Sequence, residues 1–154
     1  MRAALALSLA LLQPAGAETL RIATWNVGLD RIGPGLLVKD LSEGEDPQSL
    51  AVVRVLAALD ADVVLLTSVD YDRGGVALDL LADLLAKAGQ VYPHRFALRP
   101  NTGTQTGLDV DGNGRTGDPR DAQGFGLYSG NAGMAVLSRL PIDAEGARDF
   151  SGFL

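Results

Sequence analysis

The sequence predicts an α/β protein with at least one parallel pair of strands. Segments typical of strands and of helices alternate along the chain, and the segment 62–69 carries a continuous apolar run from Val63 to Leu66. Alternating strands and helices favour parallel pairing. A continuous apolar run is typical of a strand that is covered on both faces.

The first strand is predicted over 19–27, where strand-forming residues alternate with polar ones. The segment 28–44 holds four glycines and a proline, so we expect a loop with at most a short turn of helix. Asp46 followed by Pro47 predicts an N-cap and the first position of a helix, which should end near Leu59.

The second strand is predicted over 62–69 and a second helix over 76–88, with Gly89 as its stop. Two more strands are predicted over 95–98 and 133–139. Between them, the glycine- and aspartate-rich segment 99–131 is too long for an ordinary connection, so we expect it to be functional or mobile.

The predicted topology already places a candidate site. A right-handed crossover makes the first and second strands parallel neighbours, so their carboxyl ends lie at the same edge of the sheet. Ligands of open α/β sheets bind at such an edge. The edge would carry Asn26 from one strand and Ser68, Asp70 and Asp72 from the other.

The two ends of the sequence suggest export and an incomplete domain. Residues 1–17 have the positive start, apolar stretch and small residues of a secretory signal peptide. The stretch is shorter than the roughly 20 residues that span a bilayer, so we expect no membrane span and a periplasmic or extracellular bacterial protein. The domain would cover 18–154 and be truncated at its C-terminus, since 140–154 completes no further element.

Composition narrows the classes of function. The net charge of −6 argues against a surface for non-specific nucleic-acid binding, although a divalent cation can supply positive charge locally to a phosphate. Nucleic acid is thus a possible partner that the charge does not indicate. The chain has no cysteine, so its stability must come from its core or from bound ions.

Three sequence blocks, Leu20–Val27, Asp62–Leu66 and Gly133–Pro141, carry a family resemblance. In this order and spacing they resemble the endonuclease/exonuclease/phosphatase superfamily, and only the N-terminal half of its domain. The resemblance implies part of an α/β/β/α sandwich of two packed sheets. It also implies hydrolysis of phosphoester bonds with a divalent cation, usually Mg²⁺, on a substrate whose class the sequence leaves open.

The resemblance also assigns roles to residues at the predicted edge. It implies that Asn26 helps to bind the cation or its phosphate. The glutamate that binds the metal in the family aligns with Ser68, and a hydroxyl is a much weaker ligand than a carboxylate. Asp70 and Asp72 are the candidate substitutes, with capping of the following helix as the alternative role for both.

Catalytic residues are not identifiable in this half. The later family blocks that contain aspartate, asparagine and histidine are absent, and His94 matches none of their positions. A lone histidine of the surface or core is the simpler interpretation.

A second candidate ion site lies in the long loop. Asp109, Asp111 and Asn113, followed by Gly114, fit the opening of an EF-hand-like calcium loop, and Asp118 or Asp121 is positioned to complete the ligand shell. A flexible acidic turn is the alternative. The chain is therefore predicted to be an exported phosphoesterase-like protein that hydrolyses phosphoester bonds if a missing C-terminal half completes it, and that is weak or inactive alone. The alternative is an inactive binding or surface protein stabilised by Ca²⁺ on the same scaffold.

Overall fold

The computed structural model describes residues 19–148. The predicted signal peptide and the closing segment 149–154 lie outside these residues. The described elements are β1 (Ile22–Leu29), α1 (Leu36–Glu43), α2 (Pro47–Leu59), β2 (Val63–Val69), α3 (Val76–Lys87), β3 (His94–Phe96) and β4 (Gly133–Ser138). The α/β class predicted from the sequence is thus confirmed. None of the helices within this span is long and apolar enough to cross a bilayer.

The four strands form one mixed sheet in the order β1-β2-β4-β3. β1 and β2 are parallel, with register from Ile22↔Val63 to Leu29↔Val69, as the sequence predicts. β4 runs antiparallel to both β2 and β3. The last strand of the chain is therefore inserted between two strands that precede it.

Helix α1 corrects the prediction of a loop over 28–44. It spans eight residues, and left-handed glycines, Gly35 and Gly44, flank it at both ends. Leu37 and Leu41, one turn apart on the same face, are almost fully buried. Burial of this apolar stripe stabilises the helix despite the glycines that surround it.

Helix α2 begins as predicted. The Asp46 carboxylate accepts a hydrogen bond from the backbone N–H of Ser49, and Pro47 occupies the first turn. The same carboxylate pairs with the guanidinium of Arg31 at 3.0 Å, and Arg31 also pairs with Asp40 of α1 at 2.6 Å. Arg31 thereby joins the segment after β1 to both helices.

The helices cover one face of the sheet. Residues of β2 and β4 that alternate along the strands, such as Val64, Leu66 and Leu137, are buried against Leu56 of α2 and Leu81 of α3. No helix among residues 19–148 covers the opposite face, which the segment 97–102 and Arg148 border. On it Ile22, Leu65 and Met134 remain 72%, 36% and 58% exposed.

The uncovered face is continuous across the sheet. Thr24, Leu65, Val136 and Phe96 stand side by side in register from β1 to β3. A groove of about 590 Å³ runs over this face and is lined largely by apolar side chains. Helices on one side of a sheet and an apolar, open surface on the other are the arrangement expected for one half of a two-sheet sandwich.

Both parallel strands are irregular at their carboxyl ends. The register shifts between Asn26 and Leu29 of β1 and between Thr67 and Val69 of β2. Gly28 and Ser68 lie in these shifts with left-handed backbone, at φ of 61° and 56°. The shifts interrupt the alternation of faces, so that Val69 and Asp70 are both buried.

The opposite edge of the sheet is held by Arg139. Its guanidinium pairs with Asp60 at 2.6 Å and with Asp62 at 3.2 Å, and it lies over the ring of Tyr92 at 5.6 Å from the centroid. Asp60 and Asp62 directly precede β2, whereas Arg139 directly follows β4. These contacts fix the ends of two antiparallel neighbours.

Candidate functional site at the carboxyl edge of the sheet

Asn26 lies where the sequence predicts, at the carboxyl end of β1 on the uncovered face. It pairs in register with Thr67 of β2, and its side chain is exposed. The Oδ1 atom accepts one hydrogen bond, from the backbone N–H of Gly28 at 3.2 Å. An exposed amide oxygen at this edge is available to a cation or to the hydration shell of a phosphate.

Ser68 occupies the left-handed position of the β2 irregularity and is half-buried. Left-handed backbone costs a residue with a Cβ atom about 1–2 kcal/mol relative to its usual conformation. The chain therefore turns sharply at the position where the family resemblance places a carboxylate. The turn determines the direction in which the following aspartates lie.

Asp70 is buried at this turn and connects three segments. Its Oδ2 accepts a hydrogen bond from the backbone N–H of Arg31 at 2.8 Å. Its Oδ1 accepts two, from Nδ2 of Asn131 at 3.1 Å and from the backbone N–H of Ala132 at 3.0 Å. The carboxylate thus ties the end of β2 to the segment after β1 and to the segment before β4.

The hydroxyl of Tyr128 is buried beside this carboxylate. Within residues 19–148 it lacks a hydrogen-bond partner of good geometry. Burial, and then the neighbouring carboxylate of Asp70, raise the pKa of Tyr128. The phenol is therefore neutral at physiological pH.

Asp72 caps helix α3. Its Oδ2 accepts hydrogen bonds from the backbone N–H groups of Gly74 at 3.1 Å and Val76 at 2.8 Å, and its Oδ1 accepts one from Ala77 at 2.9 Å. The sequence leaves two roles open for Asp72, metal binding and helix capping. These contacts are those of a helix cap.

The residues present do not fit a cation site built on Asp70 and Asp72. Each carboxylate already accepts three N–H hydrogen bonds, which leaves about one free acceptor direction per group. Neither belongs to a group of three or more acidic or histidine side chains whose ligand atoms converge within the described span. Binding of a cation by Asn26, Asp70 and Asp72 stays a prediction from the sequence.

The long loop does bring carboxylates together. Oxygen atoms of Asp109, Asp111 and Asp121 lie within 4.8 Å of one another. Asp121 is fully buried, and its carboxylate accepts hydrogen bonds from the backbone N–H groups of Val110 and Asp118. An acidic cluster with one buried member is therefore present in this loop.

The cluster shares two members with the predicted ligand set. Asp109 and Asp111 belong to it, whereas Asp118 lies outside it and accepts a hydrogen bond from Nδ2 of Asn113 at 2.7 Å. Both oxygens of Asp109 accept from the backbone N–H groups of Asn113 and Gly114. Of the two residues that the sequence offers to complete the shell, Asp121 is the one that converges.

Two residues of the carboxyl edge are not identified by the sequence alone. The side-chain amide of Asn131 donates a hydrogen bond to Asp70, and the buried hydroxyl beside Asp70 belongs to Tyr128. The sequence signal that could have indicated Asn131 is the segment Gly130–Gly133. In it one polar residue stands among small residues just before a strand, a pattern that is typical of a tight turn. Gly130 is required there, because a Cβ atom would lie 2.7 Å from the carbonyl oxygen of Tyr71.

Comparison with known proteins gives a family match. The family model described as "Endonuclease/Exonuclease/phosphatase family" matches residues 23–154. No curated protein matches the chain at a significant level. Among solved structures, the chain is similar to an endonuclease/exonuclease/phosphatase from Beutenbergia cavernae DSM 12333, with 26% identity and a TM-score of 0.42.

The alignment with that structure covers 79% of this chain and 26% of the other. The chain thus spans about a quarter of the length of the solved relative. The family match, by contrast, extends over most of the sequence and includes the second and third blocks completely and the first block from Ala23 onward. The chain belongs to the endonuclease/exonuclease/phosphatase family.

Proposed function

We propose that this protein hydrolyses phosphoester bonds with the help of a divalent cation. The observation that carries the proposal is the family match over residues 23–154. The position of Asn26, an exposed amide at the carboxyl edge of a parallel strand pair, supports it. A bound cation supplies charge neutralisation at the phosphoryl oxygens, and the role proposed for the Asn26 amide is to orient the phosphate or the cation.

The substrate is proposed only as a phosphoester. The net charge of −6 does not favour a surface for binding nucleic acid without sequence preference. The uncovered apolar face of the sheet supports the expectation of a second layer, and loops of such a layer would take part in choosing the substrate. We also propose export to the periplasm or the extracellular space, based on the signal-peptide pattern of residues 1–17.

Hydrolysis of bis-p-nitrophenyl phosphate by the purified chain tests the activity. We expect turnover that depends on Mg²⁺ or Mn²⁺ and is lost in Asn26→Ala. Thr24→Ala is the matched control, since Thr24 lies on the same strand and the same face, two residues earlier. Absence of turnover with Mg²⁺, Mn²⁺, Ca²⁺ and Zn²⁺ would contradict the proposal for this chain.

A second candidate function is a Ca²⁺-stabilised binding or surface protein that keeps the scaffold without catalysis. The convergence of Asp109, Asp111 and Asp121 favours it, because hard oxygen ligands in a glycine-rich turn suit Ca²⁺. Calorimetric titration with Ca²⁺ tests the site. We expect binding that is lost in Asp111→Asn and kept in Asp118→Asn, a neighbouring carboxylate outside the cluster.

A further inference from the structure

The structure gives the two aspartates after β2 a use other than the metal binding proposed for them as substitutes for the glutamate at the Ser68 position. Asp70 and Asp72 follow the strand that would deliver metal ligands. Each of them is instead surrounded by N–H donors of the protein.

The donors around Asp70 come from distant parts of the chain. Arg31 lies 39 residues before it, and Asn131 and Ala132 lie 61 and 62 residues after it. Ala132 has left-handed backbone, at φ of 51°, and its N–H is one of the groups that the carboxylate holds. Asp70 therefore stabilises a turn that would otherwise be unfavourable for alanine.

The neighbourhood of Asp72 is unfavourable for a cation. The carboxylate caps the first turn of α3, a helix of 12 residues, whose unpaired N–H groups give that end a partial positive charge. A divalent cation on Asp72 would stand close to this positive end and would displace the capping hydrogen bonds. The acidic side chain is already stabilised by the same charge that would repel a cation.

The position of Asp70 leads to the same conclusion. The side chain is only 7% exposed, so a cation there would retain few waters, whereas Mg²⁺ gives up its waters reluctantly and Ca²⁺ takes six to eight oxygen ligands. Three N–H groups direct the positive ends of their dipoles at the carboxylate. They supply the neutralisation that a cation would otherwise bring.

We infer that the carboxyl edge of the β1–β2 pair is assembled without a cation on Asp70 or Asp72. Asp70 is a structural anchor that joins the segments after β1, after β2 and before β4. The Asp72 carboxylate accepts from the N–H groups of the first turn of α3, whose N-cap residue is Gly75. A cation that this protein uses is bound by other ligands.

Thermal unfolding with and without Mg²⁺ tests this inference. A ligand that binds the folded state raises the melting temperature, and the stabilisation grows with the logarithm of its concentration over its Kd. The experiment is run in the Asp111→Asn background, which removes the loop cluster as a source of stabilisation. We expect any rise in melting temperature from EDTA to excess Mg²⁺ to be the same with and without Asp70→Asn or Asp72→Ser.

Asp72→Ser is the informative variant at that position, because serine keeps a cap for α3 and removes the carboxylate. A rise in melting temperature with Mg²⁺ that disappears in either double variant would overturn the inference. A rise that survives in both double variants assigns the cation to other ligands and leaves the inference standing.

A second measurement needs no change at Asp70 and keeps the inference testable if Asp70→Asn fails to fold. Mn²⁺ broadens the NMR signals of groups close to it. In the Asp111→Asn protein, small amounts of Mn²⁺ should leave the side-chain amide signals of Asn131, which lies 3.1 Å from the Asp70 carboxylate, no broader than those of Gln90, which contacts Arg139 at the opposite edge of the sheet. Selective broadening of the Asn131 amide would refute the anchor role.

Discussion

Nδ2 of Asn131 donates a hydrogen bond to Oδ1 of Asp70 at 3.1 Å, between side chains that are both buried. This contact joins residues 61 positions apart. It connects the end of β2 to the turn that leads into β4. A buried carboxylate that loses one of its donors retains the unfavourable desolvation of its charge.

Asn131→Ala is therefore expected to destabilise the fold by about 1–3 kcal/mol, the usual range for a buried polar group left without its partner. Oδ1 of Asn131 also accepts from the backbone N–H of Leu127 at 3.1 Å, which adds to the loss. Urea denaturation measures the change. Asn101→Ala, at an exposed position in the same loop, is the control and should change the free energy of unfolding little.

Ser68→Gly is expected to stabilise the protein by about 1 kcal/mol, because glycine adopts the left-handed backbone of this position, at φ of 56°, without a Cβ clash. Thr67→Gly, one residue earlier in the regular part of β2, should destabilise it. The two melting temperatures, compared with that of the unchanged protein, check the prediction. Equal losses in both variants would contradict a strained Ser68.

Tyr128→Phe is expected to leave stability unchanged or to raise it by up to about 1 kcal/mol, since within residues 19–148 the buried hydroxyl has no partner of good hydrogen-bond geometry to lose. Chemical denaturation of both proteins provides the comparison. A loss larger than this would mean that the hydroxyl bonds to Asp70 in solution. The aromatic ring, and so its packing, is kept in the variant.

Acid should remove the stabilisation that comes from Asp46. A hydrogen bond from the Ser49 hydroxyl, more than the opposing effect of burial, holds the pKa of this carboxyl below its usual value of 3.8. A carboxylate with a depressed pKa stabilises the fold fully above its unfolded pKa, and the contribution is lost as pH falls through the folded value. Stability should therefore decrease below pH 3.8.

Asp46→Asn isolates this contribution. Asparagine keeps an N-cap for α2 but loses the charge that faces Arg31, so we expect a loss of about 1 kcal/mol near neutral pH. The difference between the two proteins should shrink as the pH is lowered through the titration. Free energies of unfolding measured at several pH values provide the check, and a constant difference would contradict the prediction.

The parallel pairing of β1 and β2 could be predicted because it depends on local sequence patterns. Two strand-like segments flank a helix with a recognisable N-cap, and this order favours a parallel pair. Helix α1 could not be predicted, since Gly33, Pro34 and Gly35 suggest a loop and only tertiary burial of Leu37 and Leu41 favours the helix. The insertion of β4 between β2 and β3 depends on pairing across a long segment, which no local pattern encodes.

The candidate site, like the fold, could be predicted only where local sequence patterns determine it. Asn26, Asp70 and Asp72 could be placed at the carboxyl edge because alternation and topology fix where a strand ends. The groups that bind these carboxylates could not be predicted from the sequence. The N–H groups that donate to Asp70 belong to residues far away in the sequence, and their approach depends on the turn at Ser68. Ligand-type residues alone do not distinguish an anchor from a metal ligand.

The sheet order has a consequence for synthesis of the protein. β2 has β1 on one side, but its other edge stays unpaired until β4, which begins at Gly133, has left the ribosome. Until then a nascent chain exposes the backbone groups of an apolar strand, a template for pairing with other chains. We expect holding chaperones to bind nascent chains that end before Gly133 more strongly than those that extend well beyond Ser138.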